Sequence, residues 1–250
     1  MNDVLNYDKK AFAEMQRWQK AMQREPTLFG RLSRKIQVKI NGYIPEKIHK
    51  AVTSAIKQMM RAVLFTAGLA SPRPARTTSL HATEEKIRAS IDTYKKTAAV
   101  EGGITGAGGI LLAFADFPVL MAIKVKMLFD IAGQYGFDTA DYKERVYLLH
   151  IFQLAFSSDL HRKKIFYQMQ HWNQQSVALP DDIHQFDWRN FQQEYRDYID
   201  LAKMAQLIPV IGAPVGLIVN YRLLRKLGNT AINAYRMRLF ESQPAITGAR

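Results

Sequence analysis

Ile44-Pro45-Glu46-Lys47-Ile48-His49-Lys50-Ala51-Val52-Thr53-Ser54-Ala55-Ile56-Lys57-Gln58-Met59-Met60-Arg61-Ala62-Val63-Leu64 carries the period that decides the fold. Ile44, Ile48, Val52, Ile56, Met59 and Val63 recur at steps of three and four, which lays them along one stripe of an α-helix. Lys47, Lys50, Lys57 and Arg61 fall largely off that stripe, so the helix is amphipathic with a basic face. Pro45 suits a first turn, where a missing N–H has no partner to lose. Outward from this stretch nearly every long segment keeps the helical period, and no run alternates apolar with polar residues between hairpin turns. The expected fold is all-α, a multi-helix bundle with a glycine-rich apolar helical hairpin at its centre.

Residues 67–83 hold two prolines, a glycine and small polar side chains, the composition of a loop. They divide basic amphipathic N-terminal helices, 1–66, from a main helical domain, 84–250, expected to form one continuous fold with them. Within that domain helices are predicted at about 84–100, 117–134, 141–156, 158–175, 186–206 and 214–240. Gly136 fits the residue just past a helix end, where positive φ is common. Thr139 or Asp141 fits the N-cap of the next helix.

Two apolar segments stand out. Gly102 to Ile123 carries one charge, Asp116, and contains five glycines. Its length would permit a membrane span, but the aspartate, the glycines and Pro118 argue for a break near residue 116, leaving two short helices. In that reading Asp116-Phe117-Pro118 is a helix start, with the carboxylate as N-cap and the proline in the first turn. The second segment, Met204 to Tyr221, is uncharged and is interrupted by Pro209, Gly212, Pro214 and Gly216. Buried core suits both segments best, with re-entrant or spanning membrane placement as alternatives. Gly102 and Gly106 make a small surface on which helices can approach closely.

Charge is unevenly distributed. The net formal charge of +13 divides into +8 over residues 1–70, +3 over 71–100, −3 over 101–160, −1 over 161–200 and +6 over 201–250. Basic ends around a slightly acidic middle attract polyanions. Candidates for an anionic surface are Lys47, Lys50, Lys57, Arg61, Arg222, Arg225 and Lys226. Nucleic acid is the less suitable polyanion, because no recognised binding module accompanies the charge. The absence of cysteine excludes disulfides, thiolate metal sites and cysteine nucleophiles. Gly106-Ala107-Gly108-Gly109 lacks the Gly-Lys-Ser/Thr ending of a phosphate loop, and the six histidines show no metal-binding spacing. No cofactor, metal ligand or catalytic residue is assigned. The first eight residues lack the features of a secretory signal, so the expected location is cytoplasmic.

Three stretches taken together resemble the bacterial EcsC family: Gly106, Gly108 and Gly109 through Asp116 and Pro118; Tyr135-Gly136-Phe137-Asp138; and Pro209 through Gly212 and Gly216 to Asn220. Ile44-Pro45-Glu46-Lys47 and Ala234-Tyr235-Arg236-x-Arg238 fit the same pattern, so the resemblance covers about residues 36–240. Together with the basic helices and the glycine-rich apolar segments, it implies a non-enzymatic accessory protein at the inner membrane face or on a membrane partner, subunits of an ABC transporter among them. The family has no established active-site residues. The competing expectation is an enzyme or small-ligand protein with a pocket around Asp116, to which Asp138 or Tyr135 would add polar groups.

Overall fold

The computed structural model describes residues 2–25, 46–65, 79–107, 109–198 and 212–242, with the backbone alone for 2–5, 46–49, 51–52, 99, 101–117, 159–160, 188, 196–198 and 212–219. The described residues form helices α1 (Asn2–Gln23), α2 (Glu46–Phe65), α3 (Leu80–Ala107), α4 (Gly109–Gln134), α5 (Tyr142–Phe156), α6 (Asp159–Gln170), α7 (Trp172–Ala178), α8 (Trp188–Tyr198) and α9 (Gly212–Ser242), with a 3₁₀ turn at Ile183–Gln185. The architecture is an all-α bundle, and no strand occurs among the described residues.

Its centre is a three-helix unit. α3 and α4 run antiparallel, because Glu84 meets Tyr135 and Tyr94 meets Asp130. α9 lies against both. It is antiparallel to α3, pairing Arg236 with Glu84, Gly228 with Ile91 and Tyr221 with Lys95. It is parallel to α4, pairing Asn220 with Lys124 and Tyr235 with Tyr135. At Gly228 the α3–α9 approach is close enough that a Cβ would stand 2.8 Å from Ile91 Cδ1. The end of α3, the start of α4 and the start of α9 therefore share one end of the unit.

The outer helices close over this unit. α1 packs on α3, α6 and α9, and α2 on α4 and α5. Ile56, Met59 and Val63 of the predicted stripe are buried in the core, with Lys50, Lys57 and Arg61 exposed on the opposite side of α2. Ile44 and Pro45 lie outside the described residues. The Arg162 guanidinium of α6 donates to the carbonyls of Met22 (3.3 Å) and Arg24 (3.0 Å), closing the C-terminal end of α1.

Local signals place several boundaries. Gly136 has φ 90°; its N–H donates to Gly133 O (3.0 Å) and the Phe137 N–H to Ala132 O (3.0 Å), the paired bonds of a Schellman cap. Asp141 caps α5, its Oδ1 accepting from the Lys143 N–H at 2.8 Å. Substituting Gly136 by Ala forces a Cβ into the left-handed region, and a loss of roughly 1 kcal/mol in a denaturant melt is expected. An unchanged midpoint would contradict that account of the cap.

Three expectations are corrected. α3 starts at Leu80, not near 84, because the Ser79 hydroxyl accepts from the Ala82 N–H (3.2 Å) and acts as the cap. It then runs through Gly102 and Gly103 to Ala107. The break expected at residue 116 does not occur: α4 is continuous from Gly109, Asp116 lies in its interior and Pro118 is its tenth residue. Pro118 is exposed, while Leu120, Met121 and Lys124 keep the next turns buried. Packing along α3 outweighs the local cost of the proline. Finally, the helix expected over 158–175 divides into α6 and α7 at His171, whose N–H closes back on Tyr167 O (3.2 Å).

Candidate functional site

Three polar centres lie inside the bundle. The first is built on Glu84, which is fully buried. Arg236 grips it with two bonds, Nε to Oε1 at 2.6 Å and Nη2 to Oε2 at 2.5 Å. The Tyr7 hydroxyl donates to Oε2 (2.8 Å) and the Tyr135 hydroxyl to Oε1 (3.1 Å). Arg236 Nη1 continues to Glu14 Oε2 (3.0 Å). Burial alone would lower the Arg236 pKa, but the Glu84 carboxylate prevails and holds it above the ordinary arginine value. Desolvation, reinforced by Glu84, pushes the Tyr135 hydroxyl well above its ordinary value. This fork-to-fork pair joins α1, α3, α4 and α9.

The second centre is Glu144 of α5, which accepts from Arg238 Nη1 and from the Tyr235 hydroxyl, both at 2.7 Å. Burial outweighs Arg238 and raises the Glu144 carboxyl above its ordinary pKa. The Arg238 guanidinium lies 4.0 Å from the Phe137 ring centre and 4.6 Å from that of Tyr147. Residues 236 and 238 project about 200° apart on a helix, which is why neighbouring arginines serve different carboxylates.

The third centre has no carboxylate among the described residues. Lys124 is fully buried between α4 and α9, its Nζ donating to Leu120 O (3.2 Å) and reaching Asn220 Oδ1 at 3.5 Å. Burial pushes its pKa down to about 7, so a substantial share is neutral amine at physiological pH. Asn220 is also fully buried, and its Nδ2 has no partner among the described residues.

The candidates from the sequence map unevenly onto these centres. Tyr135 joins the Glu84 centre, Gly136 turns Phe137 onto the Tyr235 ring (4.9 Å), and Asn220 meets Lys124. Asp138 is exposed and only closes a turn, accepting from the Ala140 N–H at 2.8 Å. Gly106 lies in the last turn of α3, Gly109 opens α4, and Gly212 and Gly216 lie in the first turns of α9. Gly108 and Pro209, like the side chains of Asp116 and Lys47, fall outside what is described, and so does the pocket expected around Asp116. Arg222, Arg225 and Lys226 are exposed on α9, and Lys50, Lys57 and Arg61 on α2. Sequence reasoning passed over Glu84, Glu144 and Lys124. The usable signal was Lys124 itself, the cation that ends the uncharged run after Asp116. Among the described residues no three His, Asp or Glu side chains converge as a metal site would require.

The model of the EcsC protein family matches residues 9–240, nearly the whole of this arrangement from the helix α1 through Arg236 and Arg238. The chain belongs to the EcsC protein family. Protein EcsC of Bacillus subtilis (strain 168) is similar at 44% identity over 225 residues, which cover 90% of this chain and 92% of that protein. Uncharacterized protein YdbA of the same organism is 30% identical over 141 residues, covering 56% of this chain and 52% of its own. No solved structure matches the chain. For this EcsC family member the ion-pair centres account for fold, while Lys124, buried without a counter-charge among the described residues, is the group whose cost calls for a reason.

Proposed function

We propose that this EcsC-family protein is a non-enzymatic accessory that attaches peripherally to an anionic membrane surface, at the inner face, by the end of the bundle where α3, α4 and α9 come together. The supporting observation is the make-up of that end. Residues 97–123 carry two charges, Glu101 and Asp116, and residues 204–221 carry none. At 1.5 Å per residue, α3 continues about 18 Å past Lys95, α4 begins about 22 Å before Lys124, and α9 begins about 14 Å before Tyr221. Val100, Pro118, Val119 and Tyr221 are exposed there. Cations follow at the root: exposed Lys96, Lys126, Arg222, Arg225 and Lys226. Arg222 and Arg225 have no ion-pair partner among the described residues.

Apolar ends ringed by cations suit one leaflet of a bilayer, whose whole hydrocarbon core measures about 30 Å. Among the described residues no helix is long and apolar enough to cross a membrane. Each cation near an anionic surface contributes about 1 kcal/mol, which salt screens. A membrane partner such as an ABC transporter, which the family resemblance implies, would meet the protein at the same surface.

Flotation with vesicles of phosphatidylglycerol and of phosphatidylcholine tests the reading. Binding to the anionic vesicles at low salt and its release at high salt are expected, and Arg222→Gln with Arg225→Gln should weaken it about fivefold per charge. Val119→Asp, at an exposed position, should weaken it without lowering the melting temperature. No binding, or equal binding to both vesicles at both salt concentrations, would refute the proposal.

A further inference from the structure

A cavity of about 240 Å³ lies away from these centres, between α5, α6, α7 and the segment 179–194. Its wall is aromatic. Trp172, His150, Phe191 and Phe186 follow one another around it, with ring centres 5.6 Å, 5.6 Å and 5.4 Å apart and planes tilted by 69°, 87° and 66°. Tilted edge-to-face packing gives the wall rigidity without filling it. The mouth carries Asp187 and Glu194. Asp187 spends one oxygen on the Asn190 N–H (3.1 Å) at the start of α8, while Glu194 has no hydrogen-bond or ion-pair partner among the described residues.

Two further facts point to a ligand. Among the described residues no lysine or arginine lines the cavity, although the chain holds 35 of them against 22 acidic residues. His150 is buried and its ring shares a hydrogen bond with the Gln153 side chain, yet its Nδ1 has no hydrogen-bond partner among the described residues, a cost that a native interior seldom leaves standing. Burial pushes the His150 pKa down to about 4, so the ring is neutral at physiological pH and does not repel a cation.

We propose that this cavity binds a small organic ammonium compound carrying an O–H or N–H donor, with the cationic head among Trp172, Phe186 and Phe191, the donor on His150 Nδ1, and Glu194 supplying the counter-charge. Aromatic faces attract such heads through their ring quadrupoles, more strongly once the head has shed water. The volume suits a molecule smaller than a typical drug-sized ligand.

Titration calorimetry of the full chain with choline, with ethanolamine, and with the uncharged isostere of choline that has carbon in place of nitrogen tests it. At least one of the two cations should bind with a Kd on the order of 100 µM, with the isostere at least tenfold weaker. Glu194→Gln and Phe191→Leu should each weaken the cation about tenfold, with thermal melts confirming that both variants fold. If Phe191→Leu proves unfolded, Glu194→Gln, at a half-buried position, decides. Silence toward both cations at millimolar concentration, equal binding of the isostere, or indifference to Glu194→Gln would each overturn the assignment.

Discussion

Glu84→Ala is expected to lower the unfolding free energy by about 3–5 kcal/mol, read from the denaturant midpoint at constant slope. The substitution leaves the Arg236 guanidinium, 2% exposed, without its main counter-charge. It also strips the Tyr7 and Tyr135 hydroxyls of their acceptors. A buried charge stripped of its partner costs far more than the pair contributes, so Glu84→Leu combined with Arg236→Met should recover most of the loss. Glu84→Gln should fall between, since it keeps one acceptor oxygen but turns an NH₂ toward the guanidinium. A single alanine variant within 1 kcal/mol of the parent would sink the claim that this centre joins four helices.

Lys124→Met is expected to act in the opposite direction, raising stability by about 3 kcal/mol near pH 7. The folded-state pKa of Lys124 is about 7 against an ordinary value of 10.5. Between those values the unfolded chain holds a proton that the folded chain has released. The penalty is therefore complete below pH 7 and fades as the pH rises toward 10.5, at up to about 1.4 kcal/mol per pH unit. The parent should gain stability over that window, and the methionine variant should lack that component of the slope. Asn220 would lose only a 3.5 Å contact in the exchange. Parallel pH profiles for the two proteins would mean that Lys124 stays charged in the fold. If the variant also fails in vesicle flotation while more stable, the lysine serves attachment rather than folding.

What could be read from the chain was whatever local physics governs. The stripe through Ile56, Met59 and Val63, the positive φ at Gly136 and the cap at Asp141 each depend on a few neighbouring residues, and each was legible. The union of Glu84 with Arg236 spans 152 positions and depends on how α3 and α9 dock, which no local pattern encodes. Asp116-Phe117-Pro118 shows the converse error: its residues fit a helix start, but the packing of α4 along α3 carried the helix through them. The family pattern had marked Tyr235-Arg236-x-Arg238 without a role, and the roles came from which carboxylate each arginine meets. His150 stayed hidden because burial, not spacing, makes it unusual.

The carboxylate–guanidinium clasps on α9, through Arg236 and Arg238, sit toward its C-terminal end, whereas its opposite end contains no acid at all. The order of the helices is thus set at one end of α9, and substitutions toward its other end should alter local packing without rearranging the bundle.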